Sequence, residues 1–156
     1  MNIKVYRIRE DAKLPERAHE TDAGMDIFYC PNGDRIGKLY NTKDFWIPQG
    51  ESRLLTTGLK VEVPEGYMLE IKNKSGIASS RRLVVGACVV DPGYNGEVYV
   101  NLHNLGTKTQ IIKPGEKIAQ AVLIPVEYCA IEEVKEDQLN SKSTRGSGGF
   151  GSTGKW

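Results

Sequence analysis

Five short stretches of this 156-residue chain gather side chains able to do chemistry. In Val89-Val90-Asp91-Pro92-Gly93-Tyr94-Asn95-Gly96-Glu97-Val98-Tyr99-Val100, apolar alternation runs on both sides of a bend, where Pro92-Gly93 and Asn95-Gly96 supply the turn chemistry of a tight hairpin. Asp91 stands at that bend. Two β-branched residues expected in the core precede it, so the strand fixes its position while the carboxylate meets solvent, which suits a general base. An Asp before Pro-Gly is also, commonly, only a turn cap, and this stretch alone leaves both readings open. A second carboxylate, Asp26, lies among apolar neighbours in Ala23-Gly24-Met25-Asp26-Ile27-Phe28-Tyr29-Cys30. It is costly there unless partnered: either it accepts backbone N–H groups beside Gly24 or it faces a metal-bound water.

Three stretches supply groups for an anion. Lys74-Ser75-Gly76-Ile77-Ala78 breaks the period-two pattern and starts a short helix, where free N–H groups, a lysine and a hydroxyl make an anion site; the plain alternative is Ser75 as an N-cap. Gln120 interrupts the apolar run 117–125, so it must bond a neighbouring strand or face a polar ligand. Near the C-terminus, Arg145-Gly146-Ser147-Gly148-Gly149-Phe150-Gly151-Ser152-Thr153-Gly154 has the glycine content of a linker. Arg145 and Phe150 are not linker residues, and glycines around a guanidinium let a backbone wrap phosphate oxygens closely. Such a segment would order over a ligand as a mobile arm.

The elements that must position these groups read as strands. Alternation or short apolar runs mark 3–9, 23–30, 45–47, 52–57, 59–63, 68–73, 83–90, the second hairpin arm to Asn104, 111–112, 117–125 and a last strand at 129–134. Pro48-Gln49-Gly50, Gly58, Pro64-Glu65-Gly66 and Lys113-Pro114-Gly115-Glu116 punctuate them, and 31–45 reads as a polar hairpin excursion. Short strands at regular spacing predict an all-β sandwich or barrel. The expected division is a β-barrel domain over 1–140 and a Gly-rich C-terminal arm over 141–156.

Composition narrows the function. Hydrophobic residues make up 39%, charged residues 26%, and the formal net charge is +1. No clustered basic excess marks a nucleic-acid binder, so direct nucleic-acid contact is not expected. Cys30, Cys88 and Cys129 show neither a disulfide framework nor zinc spacing. The alternating N-terminus is no signal peptide and no run approaches a membrane span, so a soluble, cytoplasmic protein is expected. With only His19 and His103 present, a Ser-His or Cys-His nucleophile system is hard to assemble.

Taken together, the five stretches resemble the five motifs of the homotrimeric dUTP nucleotidohydrolases (dUTPases), which have viral, bacteriophage and bacterial members. Ala23-Gly24-Met25-Asp26-Ile27 resembles the first motif, Lys74 to Ala78 the second, Val90-Asp91 through Tyr94 to Gly96-Glu97 the third, Gly115-Glu116-Lys117-Ile118-Ala119-Gln120 the fourth, and Arg145 to Gly154 the fifth. The resemblance implies a jelly-roll-like distorted β-barrel of about a dozen short strands with one short helix and a flexible arm. Three subunits would share active sites and exchange the arm. The implied reaction is magnesium-dependent cleavage of dUTP to dUMP and pyrophosphate, which limits uracil incorporation into DNA and supplies dUMP for dTMP synthesis.

On the same basis, Asp91 is the base that activates the water attacking the α-phosphorus. Lys74, Ser75, Gly76 and Gln120 hold phosphates, and Arg145, Ser152 and Thr153 grip the γ end. Tyr94 packs on the deoxyribose, the hairpin around Val89, Val90 and Tyr99 reads the uracil edge, Phe150 and Gly151 close over the ring, and Asp26 orients a magnesium-bound water. The chain departs from the usual pattern at Lys74, where Arg is common, at Asn95, where Arg or Gln is usual, and at Cys88, where Gly is common. Lys lacks the bidentate fork of Arg. The segment 31–44 is also longer than the family's usual connection and is expected to decorate the surface or meet a regulatory protein partner. The rival readings are a dCTP deaminase of the same fold and a regulatory, protein-binding dUTPase.

Overall fold

The computed structural model describes residues 1–33, 44–139 and 147. Eleven strands and one α-helix appear among them. The chain forms β1 (Lys4–Arg7), β2 (Met25–Phe28), β3 (Phe45–Ile47), β4 (Ser52–Thr56), β5 (Leu59–Glu62), β6 (Tyr67–Lys72), α1 (Ser75–Arg81), β7 (Leu83–Val85), β8 (Val89–Val90), β9 (Tyr99–Asn104), β10 (Gln110–Ile112) and β11 (Lys117–Pro125). The strands pair antiparallel in four sheets, β2-β11-β6-β8, β4-β9-β7, β1-β5 and β10-β3. The architecture is the all-β one expected, with one short helix.

The larger of two apolar clusters among the described residues lies between the sheets. The pleat of β9 sends Val100, Leu102 and Asn104 inward and leaves Tyr99, Asn101 and His103 on the half-buried face. Ile27, Leu55, Leu69, Ile71, Leu83 and Ile118 meet Val100 and Leu102 in a single cluster. Asn104 is fully buried because its amide is fully used: Nδ2 donates to the carbonyls of Ile47 and Lys108, and Oδ1 accepts from the N–H of Gly106. Strand β2 is buried along its whole length although it ends its sheet. Glu16 covers that edge, exchanging backbone bonds with Asp26 in both directions.

Three expectations about the strands need correction. The run 83–90 is two strands in different sheets, since β7 pairs with β9 while β8 pairs with β6. The expected hairpin across Asp91 has no ladder between its arms: β8 joins β6, and β9 joins β4 and β7, so the chain crosses between sheets at the bend. Alternation shows that each arm is a strand, but not which strand it pairs with. Residues 129–134 are not a strand. They find no ladder partner among the described residues, and Ile131 is 96% exposed.

Candidate active site

The expected site residues fall into two clusters, the first around the bend after β8. The carbonyl of Asp91 accepts the N–H of Tyr94 at 3.3 Å, and Gly93 takes φ +82, so Asp91-Pro92-Gly93-Tyr94 is a turn with glycine at the position needing positive φ. The main chain closes this turn. The exposed Asp91 carboxylate accepts no hydrogen bond among the described residues and is therefore not spent as a turn cap. It opens beside a cavity of about 280 Å³ whose lining includes Val89, Val90, Tyr94 and Tyr99, all expected from the sequence. Leu54, Asn101 and Glu97 line it too, and no motif assigned them to a pocket. Alternation gave only the faint signal that Asn101 shares a strand face with Tyr99.

The second cluster is built on β2, β11 and the end of β6. Register places Gln120 opposite Asp26 on one side and opposite Lys72 on the other. Asp26 is 5% exposed, and its Oδ1 lies 2.5 Å from Lys74 Nζ. Its Oδ2 lies 2.7 Å from Lys117 Nζ as an ion pair, without a well-directed hydrogen bond. Burial pushes this carboxyl up, but the ammonium groups of Lys117 and Lys74 overcome that and hold it below the usual carboxylate range. Asp26 is therefore partnered by lysines, rather than by the backbone N–H groups that were one expectation. The sequence pattern alone did not reveal the part of Lys117.

Gln120 is half-buried, less deep than the apolar run suggests. Its Nε2 donates to the carbonyl of Asn73 at 2.9 Å, and it borders a further cavity of about 380 Å³ with Lys72, Asn73, Gly86 and Cys88. Helix α1 is capped by Lys74, whose backbone is extended and whose side chain makes no cap bond, so Ser75 is the first helical residue and not the N-cap. Ser75 and Gly76 are exposed, and the space a Cβ on Gly76 would enter is open. The first turn thus keeps N–H groups free of any side-chain cap.

The two clusters do not converge within one chain. Val90 lies opposite Leu69, while Gln120 lies opposite Lys72 three positions along β6, roughly 10 Å away along the strand. Because β8 runs antiparallel to β6, Asp91 continues away from the end that carries Lys74. Arg145, Phe150, Gly151, Ser152 and Thr153 lie outside the described residues, as does most of the 31–44 segment expected to meet a protein partner. Among the described residues no three His, Cys, Asp or Glu side chains gather to hold a metal, and no helix is long and apolar enough to cross a membrane.

Comparison with known proteins adds to this geometry. The dUTPase family model matches residues 10–154. The deoxyuridine 5'-triphosphate nucleotidohydrolase of Clostridium tetani is 41% identical over 155 residues, covering 98% of this chain and 97% of its own. The enzyme of the same name from Crocosphaera subtropica is 37% identical over 156 residues, covering 99% of each. Among solved structures, a mutant dUTPase of Staphylococcus bacteriophage 80alpha with dUpNHpp superposes with a TM-score of 0.83 at 27% identity, covering 98% of both chains. A mutant dUTPase from phage phi11 of S. aureus, in which a structural Mg(II) ion is coordinated, superposes at 0.76 with 25% identity over 89% of this chain and 100% of that one.

Proposed function

The chain belongs to the dUTPase family, and on that premise we propose that its two clusters work on one nucleotide: the chain is a dUTP nucleotidohydrolase whose base is Asp91. The observation that carries the assignment of the base is the Asp91 carboxylate, exposed, uncommitted and adjoining the cavity of Val89, Val90, Tyr94 and Tyr99. Asp91 takes a proton from water as the oxygen bonds to the α-phosphorus. The bond from that phosphorus to the bridging oxygen breaks, and pyrophosphate leaves with the electron pair. Tyr94 rests against the deoxyribose. Backbone groups of the two strand ends around Val89, Val90 and Tyr99 read the uracil edge, where O4 accepts a hydrogen bond that the amino group of cytosine cannot accept.

The phosphates are the task of the second cluster. Lys74, Gln120 and the uncapped first turn of α1 at Ser75 and Gly76 supply a cation, an amide and N–H donors on one end of the sheet. Displacement at phosphorus needs mainly positioning and charge neutralisation. Arg145, Ser152 and Thr153 would complete the γ grip, with Phe150 and Gly151 closing over the base. Since register carries Asp91 and Lys74 apart in one chain, a complete site draws the clusters from different copies, which supports the homotrimer with shared sites.

Magnesium would be held mainly by the substrate. It keeps several waters and takes substrate phosphates as ligands, so it needs no protein cage. Asp26, expected to orient one of those waters, has Oδ1 on Lys74 and a buried Oδ2 on Lys117, so in this arrangement its carboxylate serves the two lysines. When bound, the ion would neutralise phosphate charge, a task that Lys74 and Lys117, both paired with Asp26, would share from the protein side.

The test is incubation with magnesium and each deoxynucleoside triphosphate in turn, scoring pyrophosphate and ammonia. Pyrophosphate from dUTP alone is expected. Ammonia from dCTP would move the assignment to the deaminase, and no turnover of any nucleotide would leave only a binding protein.

A further inference from the structure

The bend that carries Asp91 and Tyr94 has no ladder between its arms, so something else must set its shape. The fixed point is Glu97. Its Oε1 accepts from Arg9 Nη2 at 2.5 Å and from the N–H of Gly58 at 2.7 Å, and its Oε2 accepts from Arg9 Nη1 at 3.3 Å. Both side chains are largely buried, at 20% and 10% exposure. Arg9 is held in turn, donating through Nη2 to the carbonyl of Cys30 and through Nε to its sulfur. Burial works against the charge on Arg9, yet the bonds to Glu97 and Cys30 prevail and raise its pKa. Gly58, at φ +73, permits the close approach: a Cβ there would stand 2.6 Å from that of Ala12 and 3.0 Å from the sulfur of Cys30.

Glu97 passes this fixity to the tyrosine. The hydroxyl of Tyr94 donates to the carbonyl of Glu97 at 2.9 Å. The ring folds across Gly96, where a Cβ would come within 2.3 Å of that hydroxyl. Tyr94 and Glu97 border the same cavity. We propose that Arg9 and Glu97 are positioning residues, a buried ion pair that sets the ring of Tyr94 against the sugar and so governs rejection of a 2′-hydroxyl. Neither touches the reacting atoms. Their effect falls on the choice between dUTP and UTP, because a ring free to retreat opens space for the extra oxygen. The inference rests on the nucleotide site proposed above.

The measurement is kcat/KM for dUTP and for UTP in Glu97→Gln, Arg9→Lys and Tyr94→Phe, with thermal melting of each. Glu97→Gln keeps the volume and one acceptor for Gly58 but loses the charge. Arg9→Lys keeps the charge but loses the fork, and decides alone if Glu97→Gln does not fold. Tyr94→Phe removes only the donated hydroxyl. The dUTP to UTP ratio should fall about tenfold in each folded variant, through a higher KM for dUTP and faster use of UTP. An unmoved ratio, or equal losses on both nucleotides, overturns the inference. A wild-type chain inert toward dUTP would instead sink the proposed function, so the two failures are distinguishable.

Discussion

Replacing Gly24 by Ala should disturb phosphate binding through Gln120. A Cβ at Gly24 would stand 2.0 Å from Gln120 Oε1, 2.8 Å from Cδ and 3.2 Å from Cβ. Contacts under 3.0 Å do not occur for real Cβ atoms, so Oε1 must recede by at least 1.0 Å (3.0 − 2.0). The amide moves as a unit and takes with it the 2.9 Å bond from Nε2 to the carbonyl of Asn73. Losing that bond costs about 1 kcal/mol. Forcing the side chain off its rotamer adds about 1 kcal/mol, so the total is about 2 kcal/mol. A double-mutant cycle with Gln120→Ala isolates the effect, because Oε1 and Cδ are then gone and only the 3.2 Å contact remains. Urea unfolding should give a coupling of about 1–2 kcal/mol, and Gly24→Ala alone should raise KM for dUTP about tenfold. If the two substitutions add within about 0.5 kcal/mol, the steric link from Gly24 to Gln120 is wrong.

Asp91→Asn should keep nucleotide affinity while kcat falls by about 10² to 10⁴, the usual worth of a general base; a near-normal kcat in single-turnover assays would remove Asp91 from that role. Asp26 gives an acid signature. Its folded pKa lies below the reference value of 3.8, so its lysine pairs contribute fully above that value and lose their contribution as pH falls through the folded pKa. Urea midpoints should therefore drop between about pH 5 and about pH 3, and drop less in Asp26→Asn; equal slopes in both proteins would refute the pairing. Truncation after Ser143 should reduce turnover far more than melting temperature, since no core residue among those described lies beyond Ala121, and loss of the folded protein on truncation would contradict this.

Much of the site was legible in the chain because its chemistry is local. A carboxylate after two β-branched residues and before Pro-Gly must emerge at a turn, and Asp91 does. A lysine, serine and glycine that break alternation must leave the strand, and they form the start of α1. Strands β3 and β11 match their expected bounds, since β11 is a long, mainly apolar run after a glycine turn. Residues 129–134 read as a strand from a short apolar run, yet such a run does not fix a partner, and the described residues supply no partner edge.

Residue types and spacing by themselves determined the all-β class, the turn that bears Asp91 and the break in alternation that starts α1, because turns, caps and strand periodicity are set by near neighbours. Tertiary structure alone decided which strands pair, since pairing depends on distant segments. It placed Lys117 and Lys74 on Asp26, carried Asp91 and Lys74 to opposite ends of one sheet, and joined Arg9 to Glu97 across 88 positions of sequence.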